Sequence, residues 1–235
     1  MHTFTFTGAS SILTGTYFPP IHLDEKENYE IALLSFESFN NIPNVDAENN
    51  VFQIQNFPAI KLPHGNYELD NIAEWLKLHI TDNENEYKNV TVKLKANPNT
   101  LKSLIKCSHP IDFTVKNSIH ELLGFNARVV EAKKYTESDH PVNIFRVNVI
   151  QIDCSIANGA YHNNEMTHTL HEFFPKVPPG VKIIEVPHNL IYLPVNTKII
   201  DYIKIDIRDQ EGRYVNFNSE VITLRLHLRK VKHGD

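Results

Sequence analysis

The sequence predicts a mainly β protein, an antiparallel β-sandwich with a small α+β unit inserted in it. Three observations carry this. Isoleucine and valine number 41 against 29 for leucine and alanine, and β-branched side chains favour strands over helices. Asparagine (25) and proline (13) are abundant, which supplies turns between short strands. A strict two-residue alternation recurs, most clearly in the last third of the chain, whereas part of the stretch 61–125 switches to helical spacing.

Taken in order, residues 4–7, 29–37 and 51–55 read as strands. In LDNIAEWLKLHI, Leu69, Ile72, Ala73, Leu76 and Ile80 recur at helical spacing, and Asp70 in the first turn suits the helix dipole. A second, short helix is expected over 118–123, with Ser118 and Glu121 as a capping box and Gly124 as the C-terminal cap. Between the helices, 90–95 and 104–107 are short strands, with Asn97-Pro98-Asn99 as a turn. The LLGF run at 122–125 reads as a core plug for this unit. Residues 143–154 read as one long strand with apolar residues on both faces near Val149 and Ile150. Strands at 181–186 and 190–193 are punctuated by Pro187 and Pro194, since proline is confined to strand ends and edges. Ile203, Ile205 and Ile207 alternate with polar residues, as do Ile222, Leu224, Leu226 and Leu228. With Gly212 in the turn between them, these segments form a terminal meander.

The domain reading is therefore a sandwich from 1–60 and 126–235, with 61–125 as the inserted unit. Sandwiches of this length with a long inserted connection are often jelly rolls. An ordinary lectin-like sandwich would give the same pattern. The expected class is a single jelly-roll β-sandwich.

Charge and composition narrow the function. A net charge of −5 argues against nucleic-acid binding as the main task, because neutralising phosphates needs surplus lysine and arginine. Two cysteines, Cys107 and Cys154, are too few for a disulfide framework, and both sit beside apolar strand residues, so buried inert thiols are expected. No apolar run approaches the ~18 residues of a membrane span. The opening MHTFTFTGASS alternates polar and apolar residues and does not read as a signal peptide. No GxSxG, HExxH or phosphate-cradling glycine loop occurs, so no catalytic residue is assigned.

Three constellations remain. His162, His168 and His171, with Glu165 and Glu172, form the densest histidine group. A cupin-like site would use imidazoles and a carboxylate to hold a metal. Against it, no His-x-His pair exists and the stretch reads as a polar loop, where solvated histidines are the plainer reading. The second is the stiff aromatic segment 171–180. Phe173, Phe174, Pro175, Val177 and Pro178 either fold back over the end of the sandwich or contact a neighbouring subunit. The third is the basic end, Arg225, Arg229, Lys230, Lys232 and His233, read as the solvated face of a terminal strand in preference to a phosphate contact.

Longer phrases in fixed order carry a resemblance. HGNYELDNIAEWL, NPNTLKSLI and PIDFTVKNSIHELLGF come first. VNIFRVNVIQIDCSIANGAY, HTLHEFFPKVPPGVKIIEVPHNLIYLPV and IKIDIRDQEGRYVNFNSEVITLRLHL follow. From Leu33 to Leu228 the chain resembles the minor capsid, or penton, proteins of Polinton (Maverick) elements and the related adintoviruses. The resemblance implies a single jelly roll that forms homopentamers at icosahedral vertices of a virion, beside a double jelly-roll major capsid protein, without cofactor or enzymatic activity. It implies no catalytic residue here. A long basic N-terminal arm is not apparent in this sequence, so direct genome contact is not expected. The alternatives are a jelly-roll carbohydrate-binding module, for which Trp75 on the predicted helix is the sole tryptophan, and a cupin-like metalloprotein.

Overall fold

The structure, a computed structural model, describes residues 1–231. It divides into two compact units, one combining Met1–Ile42 with the chain from Val147 onward, the other Pro43–Arg146.

The first unit is built from β1 (His2–Gly8), β2 (Ile12–His22), β3 (Tyr29–Phe39), β4 (Ile150–Cys154), β5 (Thr169–Phe173), β6 (Lys182–Glu185), β7 (Ile199–Asp209) and β8 (Ile222–Lys230). These make two sheets, ordered β1-β8-β3-β6 and β5-β4-β7-β2, with every pairing antiparallel. Strand β1 pairs with β8, β2 with β7, β3 with β6 and β4 with β5. This nesting is that of one long hairpin rolled into two sheets, the jelly roll. The second unit enters the chain between β3 and β4.

Alternation sets the faces. Ile203, Ile205 and Ile207 of β7 and Ile222, Leu224, Leu226 and Leu228 of β8 are fully buried. Each such side chain contributes about 1.5–3 kcal/mol relative to exposure. Phe36 lies among them, its ring 5.1 Å from Phe173 and 6.0 Å from Phe217.

Four expectations need correction here. Strand β2 escaped the sequence reading because Gly15, Pro19 and Pro20 interrupt its pattern. Proline donates no ladder hydrogen bond, and β2 accommodates two because it is an edge strand paired only with β7. The long strand over 143–154 reduces to β4, since Ile144 packs on the second unit's core and Val147 on the first's. The expected strand at 190–193 reduces to Leu193–Pro194, which pairs with β3. The stretch read as a polar loop is a hairpin, Ala160–His162 with Glu165–Thr167, leading into β5. Its two turn residues, Asn163 and Asn164, have positive φ, which asparagine tolerates better than most residues.

The second unit holds helix α1 (Leu69–Asp82) and a three-stranded sheet ordered Thr136–Pro141, Lys102–Cys107, Val92–Ala96. Leu69, Ile72, Leu76 and Ile80 are the buried face of α1, which lies against Val92–Ala96. The helix is opened by Glu68, whose backbone N–H donates to Asn71 Oδ1 at 3.0 Å. The helix expected over 118–123 is only one turn, closed by Leu123 N–H donating to Ile119 O (3.2 Å) and Phe125 N–H to His120 O (2.8 Å). Gly124 does take the left-handed cap conformation, at φ +80°. Ser118 is no cap: its backbone bridges Val51 and its hydroxyl is buried without a partner. Leu122, Leu123 and Phe125 are buried in this unit's core, as the plug reading expects.

The unit is also wider than 61–125. Val45, Phe52, Ile54 and Ile60 bury their side chains in the same core as α1, and Val142 and Ile144 pack against it from the other end.

Candidate functional site

The chemistry-bearing residues are dispersed. His162 stands exposed in the hairpin. His168 Nδ1 lies 2.6 Å from the carbonyl oxygen of Ala157. His171 Nε2 lies 3.0 Å from Glu185 Oε1, tying β5 to β6. The structure does not bring the three imidazoles together, and among the described residues no group of three or more His, Cys, Asp or Glu side chains is placed to hold a metal ion.

On the outer face of the β5-β4-β7-β2 sheet, Asp153, Ser155, Thr167, His168, Lys204, Asp206 and Arg208 line an open groove of about 370 Å³. Its charges satisfy one another. Lys204 Nζ donates to Asp206 at 2.9 Å, which raises the lysine's pKa. Arg208 lies 3.3 Å from Asp206 and 3.7 Å from Asp153, and its guanidinium stacks 4.8 Å from the Tyr214 ring centroid. Asp153 also accepts from Thr169 at 2.7 Å. This network staples neighbouring strands.

Both cysteines are buried free thiols. Burial pushes Cys154 up to about 11 and also raises Cys107. The thiolate is the reactive form, so native protein at pH 8 is expected to resist iodoacetamide. Protein unfolded in urea should take up two labels, and mass spectrometry of the intact chain reads both.

The basic end is largely engaged. Arg229 pairs with Glu30 at 2.6 Å and Lys230 with Glu27 at 2.5 Å. Lys232 and His233 lie outside the described residues. Trp75 is half-buried, packed against the second unit's core and stacked on His79 with centroids 4.9 Å apart.

What remains is surface. The sandwich has two flanks. On one, β5 and β6 end their respective sheets and are joined by the His171–Glu185 contact. On the other, β1 and β2 end them, with Phe4 and Tyr17 in edge contact at 5.4 Å. Both flanks expose large apolar side chains. At the β5/β6 flank Ile184 is 61% exposed and Phe174 60%, with Val186 and Phe39 also exposed. At the β1/β2 flank Phe18 is 97% exposed, and Ile12, Ile199 and Tyr202 are exposed on β2 and its neighbour β7. Beside Ile184, Lys182 donates to Glu37 at 2.6 Å, and that hydrogen bond lowers the carboxylate's pKa. Exposed apolar residues are ordinary one by one, but those on edge strands stand where another chain can pack or pair.

This corrects one sequence assignment. Phe173 is 5% exposed and belongs to the sandwich core, because strand alternation turns it inward and its neighbour Phe174 outward. Pro175 and Val177 are half-buried and Pro178 exposed, with Val177 packed on the core. Ile184, Val186, Phe18 and Ile199, which the structure leaves exposed on these flanks, were not singled out in the sequence. The available signal was adjacency: in Ile183-Ile184 and Ile199-Ile200, as in Phe173-Phe174, two consecutive apolar residues cannot both face inward on a strand.

No protein-family model matches the chain, and no curated protein does. Among solved structures it is similar to the mavirus penton protein, with a TM-score of 0.51 and 10% identity over 97% of this chain and 99% of that one. At that identity the likeness is one of fold, and its coverage takes in both units.

Proposed function

We propose that this chain is a penton subunit, a structural protein that closes into homopentamers at the vertices of an icosahedral capsid. The observation that carries the reading is the pair of apolar flanks on opposite sides of a jelly roll. A ring needs a head-to-tail interface made from two different surfaces of each copy. The β5/β6 and β1/β2 flanks are two such surfaces, and facing apolar patches associate by removing area from water. The fold shared with the mavirus penton protein supports the same role.

The rest is consistent with a structural task. The outer charge network joins strands, both thiols are buried, and His168 and His171 hold local contacts. The vertex reading places a double jelly-roll major capsid protein around the pentamer and leaves genome neutralisation to another component, given the net charge of −5. No helix among the described residues is long and apolar enough to cross a membrane.

Negative-stain electron microscopy of the purified chain tests this. Rings with fivefold symmetry, or small closed shells built from them, are the expected images. A field of single compact particles at high protein concentration would contradict the reading.

A further inference from the structure

The second unit carries a concentration of unpaired positive charge. On the exposed face of its three-stranded sheet, Lys93 and Lys106 are directly opposite one another in the ladder, and Lys95 lies two residues along from Lys93. Lys133 is fixed beside them by its backbone N–H, which donates to Cys107 O at 2.7 Å. Lys93, Lys106 and Lys133 line a depression of about 240 Å³ together with Thr91 and Ser108. Among the described residues none of these four lysines has a carboxylate within ion-pair distance. The acidic group on this face is Glu137, opposite Leu104. Its carboxylate is taken by Asn97 (2.7 Å) and Thr100 (2.9 Å), which lower its pKa. The nearby Glu131 pairs with Lys134.

Like charges directly opposite in a sheet are destabilising, and Lys93 facing Lys106 is such a pair. An anion seated between them reverses the sign of that contact. We propose that this face is a binding site for a sulfated polysaccharide, its sulfate groups held by Lys93, Lys106 and Lys133 and the chain continuing past Lys95.

The features of the patch favour that occupant over a nucleic acid. Single-stranded nucleic acid is gripped by open aromatic faces as well as by charge. The patch offers the single ring of Tyr135, with Lys95 4.9 Å and Lys106 5.5 Å from its centroid, and not a row of rings on which successive bases could stack. The cations are lysines, compact point charges, without the planar arginine fork suited to bidentate phosphate or base recognition. The inference rests on the lysine cluster alone and stands whether or not the chain forms pentamers.

Isothermal titration of the full chain with a heparin-derived oligosaccharide tests it, beside the desulfated oligosaccharide and a single-stranded oligonucleotide. Binding of the sulfated probe that weakens with added salt is expected, with no binding of the desulfated one. Lys93→Glu should weaken it by about tenfold while raising the melting temperature, because the substitution places opposite charges across the ladder. Loss of binding through misfolding would lower the melting temperature instead. Lys116→Glu, the same charge change elsewhere on this unit, should leave binding within about twofold. Equal affinity for sulfated and desulfated probes, tighter binding of the oligonucleotide, or unchanged binding by Lys93→Glu would each overturn the proposal.

Discussion

Replacing Ile184 and Val186 together by aspartate is expected to leave a folded monomer and to abolish assembly. Both side chains are mostly exposed in the single chain, so the sandwich loses little of what it buries on folding. In a ring the same positions would be covered. Each apolar side chain lost from an interface forfeits about 1.5–3 kcal/mol, and each carboxylate left there unpaired adds a desolvation cost. The combined effect weakens association by about a thousandfold or more. Phe18→Asp on the other flank should do the same. Mixing the two variants gives a sharper result. The intact β5/β6 flank of the Phe18 variant can still dock on the intact β1/β2 flank of the Ile184/Val186 variant, and there the chain of contacts stops. Sedimentation of the mixture should therefore show a dimer and nothing larger. An interface using one patch twice would instead let one of the two variants dimerise by itself, without the other.

Gly124→Ala is expected to cause the largest stability loss of any single methyl addition in the second unit. Gly124 sits at φ +80°, where a β-carbon is strained. The added methyl would collide with His140 O, and would also lie 2.9 Å from Pro141 O and 3.0 Å from Ser138 Oγ. Two of these are backbone atoms of the neighbouring strand, which cannot rotate away. That strand is held at this point by His140 N–H donating to Gly124 O at 2.8 Å. Strain in a sparsely populated backbone region and overpacking cost about 1–3 kcal/mol each, so a total of about 2–6 kcal/mol is expected. Urea unfolding followed by tryptophan fluorescence reads it, since Trp75 lies in the same unit. Gly180→Ala is the control, because a Cβ there meets nothing within 4 Å and only the backbone strain remains.

Much of the sandwich was legible in the sequence because burial on one face writes itself as period two. From Ile203 to Ile207 in β7 and from Ile222 to Leu228 in β8, every alternate residue is apolar and buried. Strand β2 was illegible for the complementary reason. As an edge strand it tolerates Gly15, Pro19 and Pro20, and those residues erase the pattern. The bounds of the second unit were hidden differently. Residues 51–55 look like any sandwich strand, and only three-dimensional packing shows that Phe52 and Ile54 join the core of α1. The candidate assembly surface was half visible. The stiff segment 171–180 lies at the β5/β6 flank, but strand alternation sent Phe173 inward and left Phe174 and Ile184 outside. The lysine cluster was invisible along the chain, because Lys93, Lys106 and Lys133 are far apart in sequence and meet only through the ladder register.

Light scattering coupled to size exclusion of the purified 235-residue chain tests the central claim most directly. The account predicts a particle of five times the 27.0 kDa chain mass, or a larger closed shell built from such units. A single species at the mass of one chain, unchanged as concentration rises, would contradict it.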